Sequence, residues 1–146
     1  MTDFFIGKIC QKHPQLGGKR RVIGRCCPKC TSDYKRNRRK VDVPFKLKRL
    51  TAARIRKAVR RGLTKKSANT KDLLGCTFEY LKEYLAAKFQ PGMSWENWSN
   101  STWHIDHIKP MTAFDLADPE QQRTCCHYTN LQPLWAAENI RKGKKY

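Results

Sequence analysis

Long apolar runs are missing from this chain of 146 residues. Nothing in it approaches the roughly 18 consecutive apolar residues of a membrane span, and its N-terminus lacks the apolar core of a signal peptide. A cytoplasmic protein with no membrane partner is expected. Acidic residues are scarce in one half only: residues 1–70 carry 22 Lys and Arg against 3 Asp and Glu, while residues 71–146 carry nine of each. The whole net charge of +19 therefore sits in the first half. A strongly basic half beside a neutral one reads as a nucleic-acid grip joined to a chemical unit. Ribosome-like or anionic-membrane binding is the alternative, and the chemistry of the second half counts against it.

Spacing partners are lacking for three of the seven cysteines. Cys76, Cys125 and Cys126 have no ligand pattern and read as small hydrophobes, and two neighbours cannot both face one core. The other four sit differently. In a cytoplasmic chain, cysteines are metal ligands or free thiols before they are disulfides. Cys10-x2-His13 and Cys27-x2-Cys30, with 13 residues between them, have the spacing of two zinc knuckles. Gly17-Gly18 falls where the hairpin between them would turn, with Arg21-Val22-Ile23 returning as a strand. Cys26 also lies within ligand range of Cys30; Pro28, which stiffens the turn, favours Cys27. About thirty residues cannot bury enough surface to fold alone, so the structural Zn2+ would hold this module together.

Residues 31–45 read as a linker carrying the Lys35–Lys40 charge run, too repulsive for an isolated helix, and ending near Pro44. From Thr51 as N-cap to Gly62 as stop, the pattern predicts a helix over 51–63, with Ala52, Ile55 and Val59 on one face. Arg54, Arg56, Lys57, Arg60 and Arg61 fill the rest and are candidate nucleic-acid contacts. A second helix is predicted from Thr77 to Phe89, with Phe78, Leu81, Leu85 and Phe89 as its core stripe. Trp95, Trp98 and Trp103 follow and read as core. Trp103–Ile108 alternates like a strand. A connection follows with a short helix capped by Asp118 and opened by Pro119. Leu131–Leu134 reads as a returning strand, and Trp135–Lys142 as a final helix stopped by Gly143.

The chemistry-bearing runs are Trp103-His104-Ile105-Asp106-His107-Ile108, Asn130-Leu131-Gln132-Pro133-Leu134 and Glu138-Asn139-Ile140-Arg141-Lys142. Hydrolysis of a phosphodiester with metal assistance needs oxygen ligands for a divalent cation and a base to deprotonate water. Asp106 and Asn139 can supply the oxygens, which favour Mg2+ or Mn2+. His107 can supply the base, since imidazole is largely neutral at pH 7. His104 shares the Asp106 face of a regular strand and reads equally as a phosphate contact or a structural histidine. Arg141 and Lys142 stand near Asn139 as candidate phosphate contacts, and His127 reads as structural.

In this order the runs resemble the HNH nuclease family, and most closely its small free-standing phage and bacterial members. The likeness covers about Leu74 to Lys145, including Gly75-Cys76-Thr77-Phe78-Glu79 and Pro91-Gly92-Met93-Ser94-Trp95-Glu96-Asn97. The resemblance implies an α+β chain with a ββα-metal fold in which Asn130 orients the loop and the base without binding metal. It also implies an irregular strand end that lets Asp106 and His107 serve one site, and cleavage leaving 5′-phosphate and 3′-hydroxyl ends. The expected partner is double-stranded DNA, with no small-molecule cofactor, in the cytoplasm of a bacterial or phage-infected cell. The expected organisation is 1–45 zinc knuckle and linker, 46–73 basic helix and 74–146 nuclease domain. A non-catalytic zinc-containing DNA-binding protein and a ribonuclease of the same fold are the competing functions.

Overall fold

The computed structural model describes residues 4–22, 24–61 and 64–146, with Arg61 described for its backbone alone. It is an α+β structure that divides into two compact units, 1–42 and 43–146. The break therefore precedes the expected one at residue 45. No separate segment spans 46–73, because its helices bury their side chains in the same cores as the residues that follow. Among the described residues, no helix is long and apolar enough to cross a membrane.

In the first unit, β1 (Phe4–Ile6) pairs antiparallel with β2 (Lys19–Arg21), Phe4 opposite Arg21 and Ile6 opposite Lys19. The returning strand thus begins earlier than expected: Val22 already lies in a turn, and Ile23 lies outside the described residues. Gly18 closes the hairpin at φ +78°, its carbonyl accepting from Gly7 N at 2.8 Å, and a Cβ there would stand 2.2 Å from Gly7 O. Only glycine fits. Helix α1 (Pro28–Val41) then runs straight through the Lys35–Lys40 stretch expected to be a linker. Pro28 presets its first turn. Ion pairs of Asp33 with Lys29 and Arg36 and of Asp42 with Arg38 offset part of the repulsion. None of its side chains is buried except at its start, where Cys27 is the N-cap.

The second unit opens with α2 (Val43–Arg61), eight residues earlier than the expected start at Thr51. Pro44 falls in its first turn, where the missing N–H costs nothing. Thr51 is interior to the helix and is not its cap. The buried stripe is Leu47, Ile55 and Val59, at multiples of four, while Ala52 is only half-buried. The expected stop at Gly62 and Leu63 lies outside the described residues. Helix α3 (Thr70–Leu74) is capped by Asn69, whose side chain accepts from Lys71 N and Asp72 N. Helix α4 (Phe78–Ala86) is capped by Thr77 and ends sooner than Phe89, the chain continuing in turns.

Two cores result. Leu47, Leu74, Leu81, Leu85, Met93, Trp103, Ile105 and Leu131 form one, edged by Phe78, Phe89, Trp95 and Trp98; Ile55, Val59, Leu73 and Cys126 form the other. Trp103 is fully buried, and its Nε1 donates to Ser94 O and Asn97 Oδ1, both at 2.9 Å. Its polar edge is therefore satisfied inside an apolar core. Cys125 and Cys126 are both buried, with Cys126 facing the second core.

The last part of the chain is β3 (Trp103–His107), helix α5 (Pro119–Cys126) capped by Asp118, β4 (Leu131–Trp135) and α6 (Ala136–Lys142). Strands β3 and β4 pair antiparallel, with Trp103 opposite Trp135, Ile105 opposite Pro133 and His107 opposite Leu131. Bonds from Ile108 N to Asn130 O and from Ala136 N to Thr102 O put the hydrogen-bonded pairs at the even residues of β3. Pro133 thus occupies a non-hydrogen-bonded position, where it removes no ladder bond. The same register turns the Ile105 carbonyl to the free edge of β3.

A candidate metal centre and a candidate active site

The first unit gathers Cys10, His13, Cys27 and Cys30, with their ligand atoms all within 4.8 Å of one another. His13 Nδ1 lies 3.8, 3.6 and 3.4 Å from the sulfurs of Cys10, Cys27 and Cys30, and Cys10 and Cys30 are 3.5 Å apart. Bonds of about 2.3 Å to sulfur and about 2.0 Å to nitrogen around a tetrahedral zinc set ligand atoms roughly 3.5–3.8 Å apart. The Cys3His cluster can therefore hold a metal such as zinc. Cys26 is turned aside, its sulfur 3.0 Å from Thr31 Oγ1, so Cys27 occupies the ligand position.

The ligand nitrogen of His13 is fixed by a residue that sequence reasoning missed. Asp33 Oδ2 lies 3.1 Å from His13 Nε2. A carboxylate there holds the proton on Nε2 and leaves Nδ1 to face the sulfurs. Its only sequence signal is a position one helical turn after Cys30. Without a cation, the hydrogen bond with Cys10, then burial, opposes ionisation of the Cys30 thiol and pushes it up to about 11. A dication among them would relieve that opposition.

The second unit builds a different site. Regular pairing runs through the end of β3, so the irregular strand end implied by the resemblance is not seen, and Asp106 and His107 point to opposite faces. Asp106 turns toward α6, where Lys142 Nζ meets Oδ2 at 2.5 Å and Gln132 Nε2 donates to the same oxygen at 3.2 Å. Lys142 also donates to the His107 carbonyl, which makes it an internal partner of Asp106. His104, on the Asp106 face, donates from Nε2 to Asn100 O at 2.9 Å and accepts at Nδ1 from Asn139 Nδ2 at 2.8 Å. Asn139 thus bonds His104, its amide oxygen remaining as a donor for a cation.

His107 is 7% exposed and faces α2. Arg54 Nη2 donates to His107 Nδ1 at 3.2 Å, and Arg54 Nη1 donates to the Ile105 carbonyl on the strand's free edge. A guanidinium only donates, so Nδ1 is the acceptor and Nε2 carries the ring proton. Burial, then the Arg54 charge, pulls the imidazole down to about 4, with Asp106 opposing and Lys142 assisting. Arg54, expected with the other cations of its helix as a nucleic-acid contact, instead reaches the edge of β3 with its guanidinium while the residue stays exposed. Seven residues after Leu47, it lies two turns along the helix, beside buried Ile55.

Arg54, His104, His107 and Asn139 line one pocket of about 400 Å³ with Trp98 and Asn100, and Asp106 is not in its lining. Asn130 stands behind it: its Oδ1 accepts from Lys109 N at 2.8 Å, and its Nδ2 donates to Lys109 O and Cys125 O. That clamp fixes the loop leaving β3. Arg56, Lys57 and Arg60 line a shallow groove on the outside of α2, and Arg141 is exposed on α6. The side chain of Arg61 lies outside the described residues. His127 is structural, accepting from Thr129 and closing over Gly75, where a Cβ would stand 2.5 Å from its ring.

No protein-family model matches the chain, and no solved structure matches it. Two uncharacterized proteins of Acanthamoeba polyphaga mimivirus are similar to it. One is 33% identical over 110 residues, covering 75% of this chain and 47% of its own length. The other is 34% identical over 103 residues, covering 70% and 44%. The chain spans about half the length of these curated relatives.

Proposed function

We propose that the chain is a metal-dependent nuclease of the HNH type that hydrolyses phosphodiester bonds in double-stranded DNA. The observation that carries this reading is the single pocket in which the β3–β4–α6 unit presents His104, His107 and Asn139, with Asp106 on the same strand. Asp106 and Asn139 would supply the oxygens for a hydrated Mg2+ or Mn2+, with the cation displacing Lys142 Nζ, which lies 2.5 Å from Asp106 Oδ2. When bound, such a cation polarises the phosphate and stabilises the leaving 3′ oxygen.

Neutral His107 takes a proton from water at Nδ1. The resulting hydroxide attacks phosphorus and the bond to the 3′ oxygen breaks, leaving 5′-phosphate and 3′-hydroxyl ends. His104, held by Asn100 and Asn139, orients the amide of Asn139. Asn130 keeps the loop after His107 in place. The cations of α2 that face outward, Arg56, Lys57 and Arg60, contact backbone phosphates, as does Arg141 on α6. The Cys3His cluster holds a structural zinc.

The competing reading is a zinc-containing DNA-binding protein without catalysis, favoured by one observation: Lys142 already engages the Asp106 carboxylate. A plasmid nicking assay with Mg2+ or Mn2+, run beside an RNA substrate, separates the possibilities. Nicking of DNA that falls about 10²–10⁴-fold in His107→Ala, the usual worth of a positioned base, supports the nuclease. Binding without nicking supports the competitor, and cleavage of RNA alone supports a ribonuclease.

A further inference from the structure

A guanidinium inside a pocket ordinarily answers a carboxylate, and Arg54 does not. Its partners, the Ile105 carbonyl and His107 Nδ1, are both neutral. Asp106, the acid whose charge acts on it, is already paired with Lys142 at 2.5 Å. Among the described residues Arg54 forms no ion pair. Burial weakens its hold on its proton, yet an arginine remains charged at neutral pH. The pocket is therefore lined by a guanidinium without an anion, on a residue that stays exposed and so open to one.

We propose that Arg54 is the anion receptor of this pocket: it binds the phosphodiester to be cut, and in the free protein the same guanidinium caps the Nδ1 lone pair of His107. The identity of the anion rests on the nuclease reading; the unmatched cation does not. The planar fork that spans a carbonyl and an imidazole in the free protein also suits two oxygens of a phosphate, for which it is better matched than for neutral acceptors. Moving to phosphate frees the lone pair that must accept water's proton. Substrate binding and unmasking of the base thus become one event, and an idle site keeps its base covered. Arg54 differs in this from Arg56, Lys57 and Arg60, which line the outside of the same helix and have no histidine to release.

The test uses the full zinc-loaded chain, 15N-labelled, with a short DNA duplex as probe and no added Mg2+ or Mn2+. Long-range proton–nitrogen spectra of the histidine rings should show His107 with its proton on Nε2 and a hydrogen-bonded Nδ1. Saturating duplex should move the Nδ1 resonance toward that of an unbonded acceptor. In Arg54→Gln the resonance should start there and stay there when duplex is added. With metal, Arg54→Gln should lower kcat/KM for nicking by about 10²–10³-fold, the scale of losing one charge-stabilising donor, with KM raised because the receptor for the phosphate is gone. Arg54→Lys, which keeps the charge and loses the fork, should fall between. A His107 resonance that saturating duplex leaves unmoved in the wild-type chain would overturn the proposal, and needs no variant to fold. Exchange at His107 without nicking would remove the nuclease reading and leave the receptor standing. Nicking without exchange would do the reverse.

Discussion

The two units of this chain are stable for opposite reasons. In 43–146, two clusters of Leu, Ile, Val, Met, Trp and Cys side chains are buried, Trp103 and Leu81 completely. Among the described residues of 1–42, the buried hydrophobic side chain is Cys27 alone, while Ile6, Ile9, Val22, Tyr34 and Val41 are exposed. Apolar burial organises one unit, and the geometry of four ligand atoms organises the other. A short basic segment with no apolar core of this kind would stand or fall with a metal bound at those four atoms.

That contrast can be broken from either side. Cys30→Ser, or removal of zinc by a chelator, should unfold the first unit, since structural zinc is worth about 10–16 kcal/mol in finger peptides. Circular dichroism should lose the α1 signal while the near-ultraviolet signal of the four tryptophans, all in the second unit, persists. Leu81→Ala should do the converse. The second unit should lose about 2–5 kcal/mol, the cost of a core cavity, while the zinc content is unchanged. Collapse of both units in either variant would show that the contrast is wrong.

A smaller effect is expected around the metal centre. Asp33→Asn should weaken zinc binding about 10–100-fold without unfolding the unit at saturating zinc, because it removes the carboxylate that orients His13. Competition with a chromogenic chelator measures this. An unchanged affinity would mean that Asp33 serves only its ion pairs along α1.

Acid should act on the second unit through His107. Its folded pKa, about 4, lies below the 6.5 of an unhindered imidazole, so folding favours the neutral ring. Its contribution is complete above pH 6.5 and is lost as pH falls toward 4. Tryptophan-monitored denaturation should show this slope in the wild-type chain and a flatter one in His107→Gln. Equal slopes would mean that His107 takes up its proton without penalty.

Much of this was legible in the residues. Strands β3 and β4, the Asp118 cap and the Gly143 stop follow from alternation, capping and breaker signals, and the ligand set from spacing. The misreadings share a cause. The charge run of α1 looks too repulsive for a helix, and the ion pairs at Asp33 and Asp42 that offset it depend on helical register. Thr51 has the residue type of an N-cap, whereas α2 begins eight residues earlier, with Pro44 in its first turn. Arg54 looks like its cationic neighbours because a sequence shows that a helix is cationic and does not show which guanidinium reaches β3. The partners of Asp106 and Asn139, Lys142 and His104, depend on how α6 packs on β3, a tertiary fact without a local signal.

The proposed nuclease has two metal sites with separate duties, and Asp106→Ala tests that separation most directly. Zinc content by elemental analysis, Mn2+ binding by electron paramagnetic resonance and plasmid nicking should be measured on one preparation. The expected result is zinc unchanged from wild type, Mn2+ binding weakened and nicking lost. Loss of zinc in Asp106→Ala, or nicking at the wild-type rate, would contradict the assignment.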